Sequence, residues 1–260
     1  MTFQQRKVWI TGASSGIGEA LARAFHSAGA NLILSARREE ELRRVQGLCG
    51  GESRTRILPM DVTQASELPE KSRLASAMFG GIDLLVHNAG VTQRSLVKDT
   101  DCSVDRRIME INFFGPVAIT KAVLPEMLER KSGHIVVVSS LVGKFGTPLR
   151  SAYAASKHAL HGFFDSMRAE VSRSGVRVTI VCPGFIRTDI SVHALVGDGS
   201  THGKMDAGQA AGMPADECAA RVLRGIANNK EEMYIGGSET RSVYMKRFFP
   251  AAFSRRMARS

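Results

Sequence analysis

The chain is 260 residues long, 43% apolar and 23% charged, with a formal net charge of +10. That suffices for one large α/β domain with a complete core and is too short for a second domain with its own active site. No apolar run approaches the roughly 20 residues of a membrane span, so no spanning helix is expected. The positive charge alone raises a nucleic-acid or membrane-surface binding module, but no nucleic-acid-binding motif accompanies it, and no nucleic-acid partner is expected.

Met1-Thr2-Phe3-Gln4-Gln5 leads directly into the apolar run Lys7–Thr11 and leaves no room for a signal peptide, which predicts a cytoplasmic protein. Thr11-Gly12-Ala13-Ser14-Ser15-Gly16-Ile17-Gly18 follows the run and opens a helix through Ala20-Leu21-Ala22-Arg23-Ala24-Phe25. In a strand, turn and helix of this kind, glycines 12, 16 and 18 let backbone pass close to a ligand. The helix N-terminus then offers free N–H groups to a pyrophosphate. Leu32-Ile33-Leu34 continues as the next strand and ends on Ser35-Ala36-Arg37-Arg38.

Further β-rich runs at Thr55–Leu58, Asp83–His87, His134–Ser139, Val176–Cys182 and Glu232–Ile235 alternate with helical segments. Such alternation predicts a doubly wound parallel sheet of Rossmann type in three αβα layers. Right-handed crossovers then place a ligand crevice at the carboxyl ends of the strands. The glycine turn, Ser35 to Arg38, Asp61, Asn88, Ser140 and Pro183-Gly184 all fall at that rim. The expected organisation is one Rossmann-type domain over residues 1–240 and a C-terminal tail over 241–260.

Tyr153-Ala154-Ala155-Ser156-Lys157 places a phenol and an ammonium one turn apart on the same helix face. A free phenol titrates near 10, and an adjacent cation favours the phenolate, which makes the pair a proton-transfer device. By itself such a pair is common on ordinary helices, as packing plus a solvated charge.

The glycine turn at 12–18, Asp61-Val62, Asn88-Ala89-Gly90, Asn112, Ser140, the Tyr153 and Lys157 pair, and Pro183-Gly184 followed by Thr188 stand together in one order. In that order the chain resembles the short-chain dehydrogenase/reductase family from about residue 5 to about residue 236. Thr92 to Leu96, Val123 to Lys131 and Ala155 to Phe164 resemble the branch called "member seven" within it.

The resemblance implies reversible hydride transfer between NADP(H) and a carbonyl or alcohol carbon. Tyr153 would exchange the proton at the substrate oxygen, Ser140 would hold that oxygen, and Lys157 would lower the Tyr153 pKa and bond the nicotinamide ribose. Asn112, in the helical stretch Val104–Arg130, would support a water relay to Lys157. It also implies cofactor contacts from Gly12, Ser14, Ser15, Gly16, Ile17, Gly18, Asp61, Val62, Asn88, Ala89, Gly90, Pro183, Gly184, Ile186 and Thr188. Ala36 stands where NAD-selective relatives carry an aspartate. Arg37 could therefore meet a 2′-phosphate, which favours NADPH over NADH. Arg38 either joins it or pairs with Glu39, Glu40 and Glu41 at a helix start. A non-catalytic NADPH-sensing protein is the alternative.

Residues 189–213 are polar and glycine-rich, as expected of a mobile substrate loop. Cysteines 49, 102, 182 and 218 read as free buried thiols. His158 and His161 show no third ligand nearby, and no metal is expected. The resemblance implies a homodimer or homotetramer through the helices of Asn112 and Tyr153, with Gly162, Phe163 and Phe164 on the outer face. The tail 241–260 holds Arg241, Lys246, Arg247, Arg255, Arg256 and Arg259 with no acid, leaving +4 for the rest of the chain. Its interleaved aromatics predict either packing on the protein or a neighbouring subunit, or weak peripheral contact with anionic lipid, at the substrate entrance. Pro250 should break it in two.

Overall fold

The computed structural model describes residues 3–258. Seven parallel strands form the central sheet: β1 (Lys7–Thr11), β2 (Asn31–Ser35), β3 (Thr55–Ile57), β4 (Leu84–His87), β5 (Gly133–Val138), β6 (Val176–Pro183) and β9 (Glu232–Ile235). All lie within one residue of the predicted runs. Their order is β3-β2-β1-β4-β5-β6-β9, so the winding reverses between β1 and β4. That reversal opens the crevice at the carboxyl ends. The inner strands are buried on both faces, which is why β1, β4 and β5 read as continuous apolar runs and do not alternate.

Helices α1 (Gly16–Ser27), α2 (Glu39–Leu48) and α8 (Ala215–Ala227) pack Leu21, Phe25, Leu42, Val45 and Val222 against one face. On the other face α3 (Leu68–Phe79), α5 (Gly115–Glu129) and α6 (Ser151–Glu170) bury Leu68, Ile119, Val123, Leu160 and Phe164. The protein is thus a single three-layer αβα domain.

Helix α4 (Cys102–Met109) runs through a π turn at Glu110–Phe114 into α5, giving a continuous helix of 28 residues that contains an 18-residue window of mean hydropathy 1.2. By length and composition that helix could cross a membrane, against expectation. In this fold it is a core helix, with Val104, Ile108, Ile119, Val123 and Met127 buried. The π turn has a local cause: Pro116 has no N–H to return to the Asn112 carbonyl four residues back.

After β6 the chain forms a short strand β7 (Ile186–Arg187), the one-turn helix α7 (Ala207–Ala210) and β8 (Met213–Pro214), which pairs with β7. The glycine-rich stretch between them is packed, which the polar composition did not suggest: Ala194, Leu195, Ser191 and Gln209 are buried, and Leu195 bridges to Gln93. The tail forms α9 (Arg241–Phe248) and α10 (Pro250–Met257), broken at Pro250 as expected. Phe253 is buried against Phe145 with ring centroids 5.1 Å apart, so part of the tail belongs to the core. Arg259 lies outside the described residues.

Candidate active site

The first half of the rim is built by backbone. Gly12 and Gly16 adopt φ of +66° and +57°, in the left-handed region that favours glycine. A Cβ on Gly18 would stand 2.1 Å from the Gly12 carbonyl oxygen, so helix α1 can approach the turn only with glycine there. Ser15 is extended ahead of α1 and makes no side-chain cap, which leaves the first N–H groups of the helix for an anion. Strand β4 clamps this turn: Asn88 Nδ2 donates to the Gly12 carbonyl at 2.9 Å, and the Asn88 and Ala89 N–H groups donate to Thr11 Oγ1 at 3.2 and 3.3 Å.

A cleft of about 120 Å³ lies beyond the turn, lined by Gly12, Ala36, Arg37, Asp61, Val62 and Ala89. Asp61 Oδ1 receives the Thr63 N–H and hydroxyl, both at 2.9 Å, fixing the end of the loop after β3. Arg37 borders this cleft. Exposed Arg38 is absent from its lining and lies near Glu41, whose carboxyl is held low by Arg44 first and Arg38 last. Arg44 escaped the sequence reading: it bonds Glu19 at 2.7 Å, Glu41 at 2.8 Å and the Ser14 carbonyl at 3.3 Å, bracing the turn from α2.

The second half of the rim encloses a cavity of about 480 Å³ whose lining includes Asn88, Gly90, Ser140, Tyr153, Lys157, Pro183, Gly184, Ile186 and Thr188. Ser140 Oγ donates to the Pro183 carbonyl at 3.4 Å and stands close enough to the Tyr153 phenol to favour its ionisation, and Lys157 Nζ sits 5.7 Å from the Tyr153 ring centre. Buried Lys157 donates to the Val138 carbonyl at 2.8 Å. A Cβ at Gly90 would lie 3.2 Å from Asn112 Oδ1 and 3.6 Å from Lys157 Nζ, so these groups meet at one point. The Asn112 amide clamps Val91, accepting its N–H and donating to its carbonyl at 2.9 Å each, and also donates to Ser156. Both N–H donors of its side chain are thereby engaged. Thr188 closes over Gly16, where a Cβ would meet the Thr188 methyl at 3.1 Å. Ile186 is buried in the core beneath the rim.

Residues 6–195 match the family profile described as short chain dehydrogenase. The chain belongs to that family. It is 42% identical over 266 residues to dehydrogenase/reductase SDR family member 7B of Danio rerio, covering 98% of this chain and 85% of the relative. Dehydrogenase/reductase SDR family protein 7-like of Drosophila melanogaster is 42% identical over 246 residues, covering 92% and 75% respectively. A short-chain dehydrogenase from Streptomyces avermitilis superposes with a TM-score of 0.82 at 29% identity, covering 96% and 95% of the two chains. One from Burkholderia cenocepacia, solved in complex with NADP, gives 0.83 at 24% identity and covers 99% of each. The chain is therefore a short-chain dehydrogenase/reductase family oxidoreductase, and its glycine turn and crevice have the shape and free N–H groups that a nicotinamide dinucleotide needs.

The electrostatics of this short-chain dehydrogenase/reductase depart from the expectation for Lys157. Burial pushes the Tyr153 phenol up, opposed by the Ser140 hydroxyl and by the charges of Arg150 and Arg94. Burial also pushes Lys157 down to about 8, against an ordinary 10.5. The cations that favour the phenolate here are the two arginines. Both line the cavity and both were missed in the sequence, together with Asp206, which they share. The one sequence signal for Arg150 is its place three residues before Tyr153, at the start of α6. Arg256 and Met257 bring the tail to the same cavity, as expected of a tail at the entrance.

Beneath α6, His161, Cys182 and Glu232 bring three potential ligand atoms within 4.8 Å, a third partner that the spacing of His158 and His161 did not reveal. Lys144 Nζ already lies 2.6 Å from Glu232, and burial pushes the Cys182 thiol far up, keeping it protonated. That donor set fits a half-buried ion pair with His161 bonded to Ser139 at 3.1 Å better than it fits a cation site. Cys102 is exposed, correcting the expectation of four buried thiols; it opens α4, whereas Cys49, Cys182 and Cys218 are buried.

Proposed function

We propose that the chain transfers hydride reversibly between NADP(H) and the carbonyl or alcohol carbon of a small molecule, with Tyr153 as general acid and base. The observation that carries this reading is the convergence of Ser140, Tyr153 and Lys157 on one cavity wall beside a glycine turn that fits a pyrophosphate. The cofactor supplies the hydride when bound. The turn from Gly12 to Gly18, with Ser14, Ser15 and Ile17, would hold its pyrophosphate. Arg37 would take the 2′-phosphate; Asp61, Val62, Asn88, Ala89 and Gly90 would line its middle, and Pro183, Gly184, Ile186 and Thr188 its nicotinamide end.

In reduction the Tyr153 phenol gives its proton to the carbonyl oxygen, to which Ser140 donates a hydrogen bond; in oxidation the phenolate takes that proton back. A phenol raised by burial stays protonated at neutral pH, which suits the reducing direction. Lys157 holds the next proton, and the Asn112 carbonyl freed by Pro116 would accept a relay water. Tyr153→Phe tests the reading: NADPH should still bind by fluorescence while kcat falls about 10²- to 10⁴-fold. Near-normal turnover would exclude the mechanism.

Assembly and location follow the same reading. Phe114 is 49% exposed beside Phe113 and half-buried Phe163, which supports a homodimer or homotetramer face; Phe164 is buried and belongs to the core. Tyr244, Phe248 and Phe249, exposed by 56%, 68% and 66% among the tail's basic residues, support weak contact of a cytoplasmic enzyme with an anionic membrane surface.

A further inference from the structure

The wall beside Tyr153 carries more positive charge than its own carboxylate neutralises. Arg94 donates through Nε and Nη2 to Asp206 Oδ2 at 2.9 and 2.5 Å, and Arg150 donates through Nη2 to the same oxygen at 3.1 Å. Two guanidinium charges thus share one carboxylate, leaving an excess of one positive charge. Arg94 is committed elsewhere: its side chain is 7% exposed, and Nη1 donates to Thr92 Oγ1 and the Gln93 carbonyl.

Arg150 differs. A guanidinium has five N–H donors, and Arg150 directs one bond to Asp206 while lining the cavity one helical turn before Tyr153. Burial and the neighbouring Arg94 charge both disfavour its protonated state, as happens where a cationic site lacks a full complement of anions. Leaving a half-buried cation part-paired costs stability and persists where a partner arrives in use. The acid on the cavity's other side, Glu239, is engaged by the N–H groups of Phe185 and Gly237. Phe145, Phe185, Ile190 and Met257 add an apolar patch to a wall that also carries Thr147, Gln209, Ser242 and Arg256.

We propose that Arg150 is a substrate-positioning residue that receives a carboxylate, so that the substrate is an amphiphilic keto acid or hydroxy acid. Its reacting carbon lies at Tyr153, its carboxylate a few bonds away on the Arg150 fork, and its apolar body against Phe145, Phe185, Ile190 and Met257. A planar guanidinium matches a carboxylate in two parallel bonds, which an isosteric amide cannot reproduce. The assignment of the reacting carbon rests on the Tyr153 reading; the carboxylate site does not.

Calorimetric titration of the full chain, with and without NADPH, compares hydrocinnamate with its primary amide. The acid should bind at least about tenfold more tightly, as a charge-assisted bond implies. Arg150→Gln should remove that preference, and Arg150→Lys should restore part of it. Equal affinity for acid and amide in the unmodified chain overturns the inference, as does a preference surviving in folded Arg150→Gln, with folding checked by circular dichroism. Tyr153→Phe should keep the acid preference, so a failed hydride-transfer reading and a failed carboxylate site give different results.

Discussion

The two halves of the rim are made differently. On the cofactor side, position is enforced by backbone: two glycines in left-handed conformation, a third pressed against a carbonyl, and an asparagine tying two adjacent strands. On the substrate side, position is set by side chains from segments far apart in the chain, with Arg94, Arg150 and Asp206 meeting over a separation of more than a hundred residues. Backbone constraint is intolerant of any added atom, whereas a side-chain wall can be re-lined without disturbing the sheet. The first half therefore suits an invariant cofactor and the second a particular substrate.

The largest effect expected from this contrast is at Gly18. Gly18→Ala should abolish NADPH binding and lower Tm sharply, because its Cβ would meet the Gly12 oxygen at 2.1 Å. Gly162→Ala, inside α6 where a Cβ would meet nothing within 4 Å, should leave binding unchanged and raise Tm slightly. Comparable outcomes by fluorescence and thermal melting would remove the contrast.

Lys157 sharpens it from the other side. Its folded pKa of about 8 lies below the ordinary 10.5, so the folded state holds its proton less tightly than the unfolded one. Stability from this group therefore rises with pH between about 8 and 10.5, and below 8 the buried ammonium carries its full penalty. Lys157→Met should lose turnover while raising Tm by a few degrees at pH 7, a gain that shrinks as pH passes 8. A melting series across that range measures it, and a lower Tm at pH 7 would show that the bond to Val138 outweighs burial.

A smaller effect belongs to the edge of the cofactor cleft. Ala36→Asp with Arg37→Leu should shift the cofactor preference from NADPH toward NADH by at least about tenfold in kcat/KM, since a carboxylate repels a 2′-phosphate and accepts bonds from a free ribose hydroxyl. Equal use of both cofactors by the unmodified chain would remove the role given to Arg37. The smallest effect should come from the tail: Phe248→Ser with Phe249→Ser should leave Tm and turnover intact and weaken cosedimentation with anionic vesicles. Deleting the tail is a poorer test, because Phe253 and Val243 are buried and their removal would open the core.

What the sequence determined by itself is what local rules specify. Apolar runs placed seven strands to within one residue, and glycines at 12, 16 and 18 marked a turn that only glycine can make. Tyr153 and Lys157 share a face because helical geometry puts residues four apart together. The tertiary structure alone decided what depends on distance in space. It packed a glycine-rich loop that polarity marked as mobile, and drew Phe253 into the core and Arg256 to the cavity. It gathered His161, Cys182 and Glu232 under α6. It also set the charges around Tyr153, where Arg94 and Arg150 act on the phenol and burial turns Lys157 toward its neutral form. A pKa is fixed by desolvation and by every charge within several ångströms, and no spacing rule records which distant residues those are.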